Sequence, residues 1–360
     1  MSVISAPIIN ANHAKLSSFK CSTRGLRARG LALRSTRVAT LDVRAENVLI
    51  VNTKGGGHAP FGLYLAKELS AAGHQITILN DGDPEKLASK APFSEYPSIP
   101  GASVVWGNPT DPASFPSGHF DVVYDNNGKD LDNCKPLIDT YSRTCTQYCF
   151  VSSAGMAIEN EVAPMIFEST PCNPKKGHFA VEEYLKTQNV PYTIFRPLYP
   201  YGKFTMKDCE QWFMDRILRD RPVPIPGDGL QLVGLSNYED CGKVLAAAAL
   251  NPKAIRSVYN LTSDTLVSFN GVAQAVAKAA GKEAIIVNYN PNTLGKGAWP
   301  FRLGHFFASS AKSQAELGVT FSHTFEGDMQ ECLQRYMAAG RLQKEVDFSK
   351  DDEIIKSILP

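Results

Sequence analysis

Residues 47–79, NVLIVNTKGGGHAPFGLYLAKELSAAGHQITIL, read as a strand, a glycine-rich turn, a helix and a second strand, and this unit restricts the fold more than any composition does. Val48, Leu49, Ile50 and Val51 form a short apolar run ending at a polar turn, as expected of a strand buried on both faces. Phe61, Leu65 and Leu69 then recur at helical spacing. Gly55, Gly56, Gly57 and Gly62 lie between strand and helix, where missing side chains let backbone N–H groups approach a phosphate at the positive end of a helix. Gly56, Gly57 and Gly62 are therefore the candidate cofactor-binding residues. Counted back from Gly62, however, Ala59 stands where the dinucleotide fingerprint places its second glycine, and its methyl would crowd a phosphate. The strand that should end on a ribose-binding acid ends on Asn80, with Asp81 and Asp83 following in a loop. Both departures argue against NAD(P) as a working cofactor.

Strand-like runs recur at Ser103–Trp106, Phe120–Tyr124, Gln147–Val151 and Tyr192–Phe195, with helical or loop stretches between. Such alternation predicts a parallel sheet covered on both faces, with ligands at the carboxyl ends of its strands. The residues expected there are polar: Gly107-Asn108-Pro109, Asp125 to Lys129, and Ser152-Ser153-Ala154-Gly155. A first domain is expected over 46–202 and a smaller lobe over 203–345, with the chain returning to the sheet near Leu230–Val244. Val258–Leu261 is expected to be a strand, followed by an amphipathic helix near Phe269–Ala280 and a last helix near Phe325–Ala338. A tail over 346–360 alternates charge and apolar residues and is expected to dock as a strap or an oligomer contact. Apolar stretches fall far short of the ~18 residues of a membrane span.

Residues 1–41 contain no Asp or Glu but hold Lys15, Lys20, Arg24, Arg27, Arg29, Arg34 and Arg37 among serines and small residues. That is the pattern of an organelle import segment, and residues 1–45 are expected to be a plastid transit peptide. Without them, 29 of the 37 basic and 35 of the 36 acidic residues remain, a net charge near −6. That sign argues against broad attraction to a phosphate backbone, and any polyanion must meet a local patch. Seven of the eight cysteines follow residue 45, with no C-x-x-C and no Cys/His zinc spacing, so reduced thiols are expected.

With the glycine turn, Ser152-Ser153, Arg196-Pro197, Tyr201-Gly202, the segment Arg221 to Gly229 and Tyr238-Glu239-Asp240, the chain resembles the extended short-chain dehydrogenase/reductase family over about residues 46–340. The resemblance implies an α/β fold, a Rossmann-like doubly wound parallel sheet with a smaller C-terminal α/β lobe. Active members carry a tyrosine four residues before a lysine. Aligning Glu182 and Leu185 with the family's helix puts Pro174 and His178 at those positions, and no Tyr-x-x-x-Lys exists there in another register. Proline cannot ionise and histidine is mostly neutral near pH 7, so a nucleotide-sugar epimerase or reductase is disfavoured. Ser153 falls at the family's proton-relay position, where a backbone cap is the reading kept.

The blocks Asn52-Thr53-x-x-Gly56-Gly57-His58-Ala59, Trp106 to Pro109, Asp121 to Asp132, Gly177-His178 and Lys207 to Phe213 are together similar to the a-type branch of the chloroplast stem-loop-binding proteins. That resemblance implies a protein of the chloroplast stroma or nucleoid that binds RNA, rRNA or mRNA, prefers stem-loops and cuts them with a divalent metal. It also implies ribosomal or transcription-associated complexes, a b-type paralogue as partner, and homo- or hetero-oligomers. Metal-assisted phosphodiester cleavage needs oxygen ligands on a hard cation such as Mg²⁺, and Asn108, Asp125 and Asp139 are the candidate metal ligands and catalytic residues. His58 and His178 are candidate acid–base groups. Lys203, Lys207, Arg216, Arg219 and Arg221, interleaved with Phe204, Trp212 and Phe213, are the candidate RNA contacts; Lys175, Lys176, Arg302, Arg335 and Arg341 are further candidates. The competing reading is a non-catalytic RNA- or ribosome-associated scaffold, or a dinucleotide sensor, on the same fold.

Overall fold

The computed structural model describes residues 46–52, 59–205 and 209–358. Residues 1–45, the glycines 55–57, His58 and Lys207 lie outside this set, so the expectations placed on them stay as sequence readings. Seven parallel strands form the main sheet: β1 (Asn47–Asn52), β2 (Gln75–Asn80), β3 (Ala102–Trp106), β4 (Val122–Asn126), β5 (Gln147–Val151), β6 (Tyr192–Pro197) and β7 (Ser257–Leu261). Their order is β7-β6-β5-β4-β1-β2-β3. Strand order reverses between β1 and β4, which makes the carboxyl ends of these two the switch point where ligands bind in open α/β sheets.

Both faces are covered, as the apolar run of β1 requires. Val48 and Ile50 pack with α1 (Ala59–Ala71) on one side, while Leu49 and Val51 pack with α2 (Leu131–Tyr141) and α3 (Gly177–Thr187) on the other. Asp130 caps α2, its side chain accepting from Asn133 N–H at 3.1 Å, a stop–start signal that places the helix directly behind the β4 loop.

Past β6 the chain returns once to the main sheet, for β7, and builds around a second hydrophobic cluster, called the lobe below. Tyr199–Tyr201 pairs in parallel with Leu232–Asn237; between these two strands lies α4 (Glu210–Ile217), and after the second comes α5 (Tyr238–Ala247), which leads back to β7. Helix α5 crosses α1 so closely that a Cβ on Gly242 would overlap Tyr64. The lobe core joins α4, α6 (Phe269–Ala280) and α7 (Phe325–Ala338) around Trp212, Phe213, Phe269, Trp299 and Phe301, all buried and in edge or stacked contact. The tail folds as α8 (Ser349–Ile358) against the paired strands Val223–Pro226 and Ile286–Tyr289. Among the described residues no helix is long and apolar enough to cross a membrane.

Candidate functional site

The crevice over the strand ends is lined first by amides. Asn52, Asn80 and Asn126 are the last residues of β1, β2 and β4 and stand side by side in register. Asn126 Nδ2 donates to Asn52 Oδ1 at 2.9 Å, and Asn52 Nδ2 donates to Tyr96 Oη at 2.9 Å and to Asn80 Oδ1 at 3.2 Å. All three are buried, so each bond replaces water that the site excludes. Gly62 is the glycine that permits this packing, because a Cβ there would overlap the Asn52 amide. Next to the amides opens a cavity of about 760 Å³ lined by Asp81, Asp83, Trp106, Asn108, Asn127 and Asn133.

Among the described residues, the start of α3 carries no tyrosine four places before a lysine. Pro174 lies in the turn before α3 and His178 in its first turn, its ring 6.3 Å from that of Phe150. Gly177 lies so close to Lys129 that a Cβ would overlap that carbonyl, which brings the start of α3 onto the β4 loop. Ser152 Oγ donates to Glu182 Oε1 at 2.7 Å, and Glu182 in turn holds Arg196 through two bonds of 3.0 and 2.6 Å. Ser153 caps the turn Ala154–Met156 by accepting from Gly155 N–H, the structural role favoured above. The residues thus fit the helix-packing part of the dinucleotide fingerprint, at Gly62. They supply neither a carboxylate ending β2 nor a tyrosine–lysine pair.

The candidate metal ligands are not brought together. Asp125 is fully buried; its Oδ1 accepts from Asn127 N–H at 3.1 Å and its Oδ2 from Tyr148 Oη at 2.8 Å. Burial pushes its carboxyl up to about 6 against the pull of those bonds and of Cys134. Asn108 is exposed on the 760 Å³ cavity, with Oδ1 accepting from Thr110 N–H and Oγ1 in a tight turn. Asp139 sits in the last turn of α2, about 12 Å along the axis from Leu131 at 1.5 Å per residue. There it pairs with Lys135 and accepts from Tyr184 Oη. Burial raises its carboxyl slightly, yet those two partners and Arg143 hold it below the usual carboxylate range. A divalent ion shared by the three does not fit this arrangement, and among the described residues no cluster of three His, Cys, Asp or Glu suits a metal.

The candidate RNA arginines also differ from expectation. Arg216 is buried, its guanidinium 3.4 Å from the Trp212 ring centre and its Nη2 2.8 Å from Asp351 Oδ2. Arg219 donates to the carbonyls of Asp215, Leu342 and Lys344 and to Tyr336 Oη, clasping the chain after α7. Arg221 pairs with Asp352 and lies over Phe348. Asp351, Asp352, Tyr336 and the carbonyls of Leu342 and Lys344 stand more than a hundred residues away, so the basic run alone gave no sign of them. Trp212 and Phe213 fill the lobe core instead of facing a base. Lys203 is half-buried at the mouth of a second cavity, with Nζ 4.6 Å from the Phe204 ring centre. Sequence reading missed the amide net, although three asparagines each ending a strand were a legible signal.

No family model matches the chain. A curated relative, the chloroplast stem-loop binding protein of 41 kDa b of Arabidopsis thaliana, is 32% identical over 320 residues, 84% of each chain. Among solved structures, a dTDP-glucose 4,6-dehydratase of Bacillus anthracis in complex with NAD is similar with a TM-score of 0.62 at 16% identity, covering 82% of this chain and 98% of the other. A UDP-glucuronic acid 4-epimerase of Bacillus cereus, in complex with UDP-glucuronic acid and NAD, gives 0.60 at 16% identity, with 81% and 99% covered. These structural likenesses establish the α/β Rossmann-like fold.

Proposed function

The chain belongs to the chloroplast stem-loop binding protein family and is a chloroplast protein, and from that premise we propose that it binds structured RNA, with preference for stem-loops. The observation that carries the reading is the match to the curated relative along 84% of both chains. It is supported by a crevice whose proton-transfer positions hold Pro174 and His178 and whose strand ends are closed by a neutral amide net. The finer parts of the reading are the a-type branch, rRNA or mRNA as target, a b-type paralogue and ribosomal or transcription-associated complexes as partners, and divalent-metal-dependent cleavage of the bound RNA.

Labelled hairpin RNA, titrated beside an unstructured RNA of equal length in Mg²⁺ and in EDTA, tests it. Hairpin preference in both buffers supports the binding reading, and equal affinity for the two RNAs overturns it. Strand scission confined to Mg²⁺ supports the cleavage part. Because Asp125 and Asp139 hold separate partners, Asp139→Ala is expected to leave scission unchanged; loss of scission in both Asp139→Ala and Asp125→Ala would restore a shared ion. The dinucleotide-sensor reading draws on the close packing at Gly62, and calorimetry with NAD(P) separates it from the first.

A further inference from the structure

Beside Lys203 lies a cleft of about 510 Å³, between residues 202–205, the start of α4 and the end of α7 with the chain that follows it. Its volume falls in the ~300–1,000 Å³ range of small-ligand sites. Four bases line it, Lys203, Arg335, Arg341 and Lys344, against one carboxylate, Glu210, among the described residues. Arg335 and Arg341 are steadied by Glu331 and Asp215. Lys203 and Lys344 have no carboxylate partner among the described residues; Lys344 is exposed, and Lys203 Nζ lies over the Phe204 ring, from which an incoming phosphate would draw it. The floor is aromatic and small: Tyr336 is buried, and Phe204 is half-buried. Phe204, which also packs against the sheet core, is held at φ 68°, a left-handed conformation that costs a bulky residue energy and that clusters at functional sites. In a protein whose acids outnumber its bases past residue 45, this is a local basic patch beside an aromatic ring.

We infer that the cleft receives one unpaired nucleotide from the loop of an RNA hairpin, its phosphate met by Lys203 and Lys344 and its base laid on Phe204. Duplex RNA is read by shape along its grooves, whereas splayed loop bases stack on aromatic rings. A cavity the size of a small ligand, basic at the rim and aromatic inside, suits the second mode. The inference rests on the RNA-binding reading above and names where it is carried out.

The test uses the full chain and a hairpin with 2-aminopurine in the loop, read by anisotropy and by fluorescence. Lys344→Glu, an exposed change, is expected to weaken hairpin binding about tenfold and to lower the salt slope by about 1. Phe204→Leu, with folding verified by thermal melts, is expected to weaken hairpin binding about tenfold and abolish the loop-base signal. It should leave a blunt duplex of the same stem unaffected. If the natural chain binds hairpins and both variants bind them equally well, the cleft assignment is overturned while the family reading stands. If the natural chain binds no hairpin, the family reading falls and this inference with it.

Discussion

At the ends of β1, β2 and β4 the buried side chains are amides that bond one another; in the lobe the buried polar groups are ionic and assembled from far along the chain. Asn52, Asn80 and Asn126 bond one another because parallel strands in register bring their ends together, although Asn80 Nδ2 is buried without a hydrogen-bond partner. The lobe instead places Arg216 out of water and answers it with Asp351 from α8, both nearly inaccessible. Amides lose little on burial when hydrogen-bonded, whereas a charge must find a counter-charge. The contrast explains why the crevice is self-contained and why the lobe depends on its tail.

The sharpest way to break this comparison is Arg216→Ala. It strands Asp351 in the interior and is expected to cost about 3–5 kcal/mol in urea unfolding, with most of it recovered in Arg216→Met combined with Asp351→Leu. A cost near that of a surface pair would erase the distinction. Next is Asp125, the one carboxyl among the strand-end groups described above. Its folded pKa of about 6 exceeds the ordinary 3.8, so its ionisation opposes folding above pH 6 and the penalty fades as pH falls towards 4. Asp125→Asn is therefore expected to stabilise the protein by up to about 3 kcal/mol at pH 8 and hardly at all at pH 4, measured as unfolding midpoints across that range. Smallest is Arg221→Ala. Its pair with Asp352 is partly exposed, and a loss under about 1 kcal/mol that shrinks with added salt is expected from the same unfolding assay.

What could be read from the sequence follows the same divide. Periodicity located the βαβ opening, the strands at 103–106 and 147–151, and the helices Phe269–Ala280 and Phe325–Ala338, because each is set by spacing within a few residues. The strand expected from Phe120 begins two residues later, at Val122, since Asp121 turns its side chain to Asn47 N–H at 2.9 Å. The arginines of 216–221 were legible as a basic cluster but not as a clasp, since nothing local names Asp351, Asp352 or the carbonyls after α7. Asp139 shows the limit for site residues: belonging to a helix that starts at the crevice does not place a side chain there when it lies two turns further on.

The pairing of Arg216 with Asp351 also makes α4 depend on α8. A chain truncated before α8 would keep the Arg216 guanidinium against Trp212 with no counter-charge. Truncation is therefore expected to loosen α4 while the strand-end amides, all supplied before residue 127, stay bonded to one another.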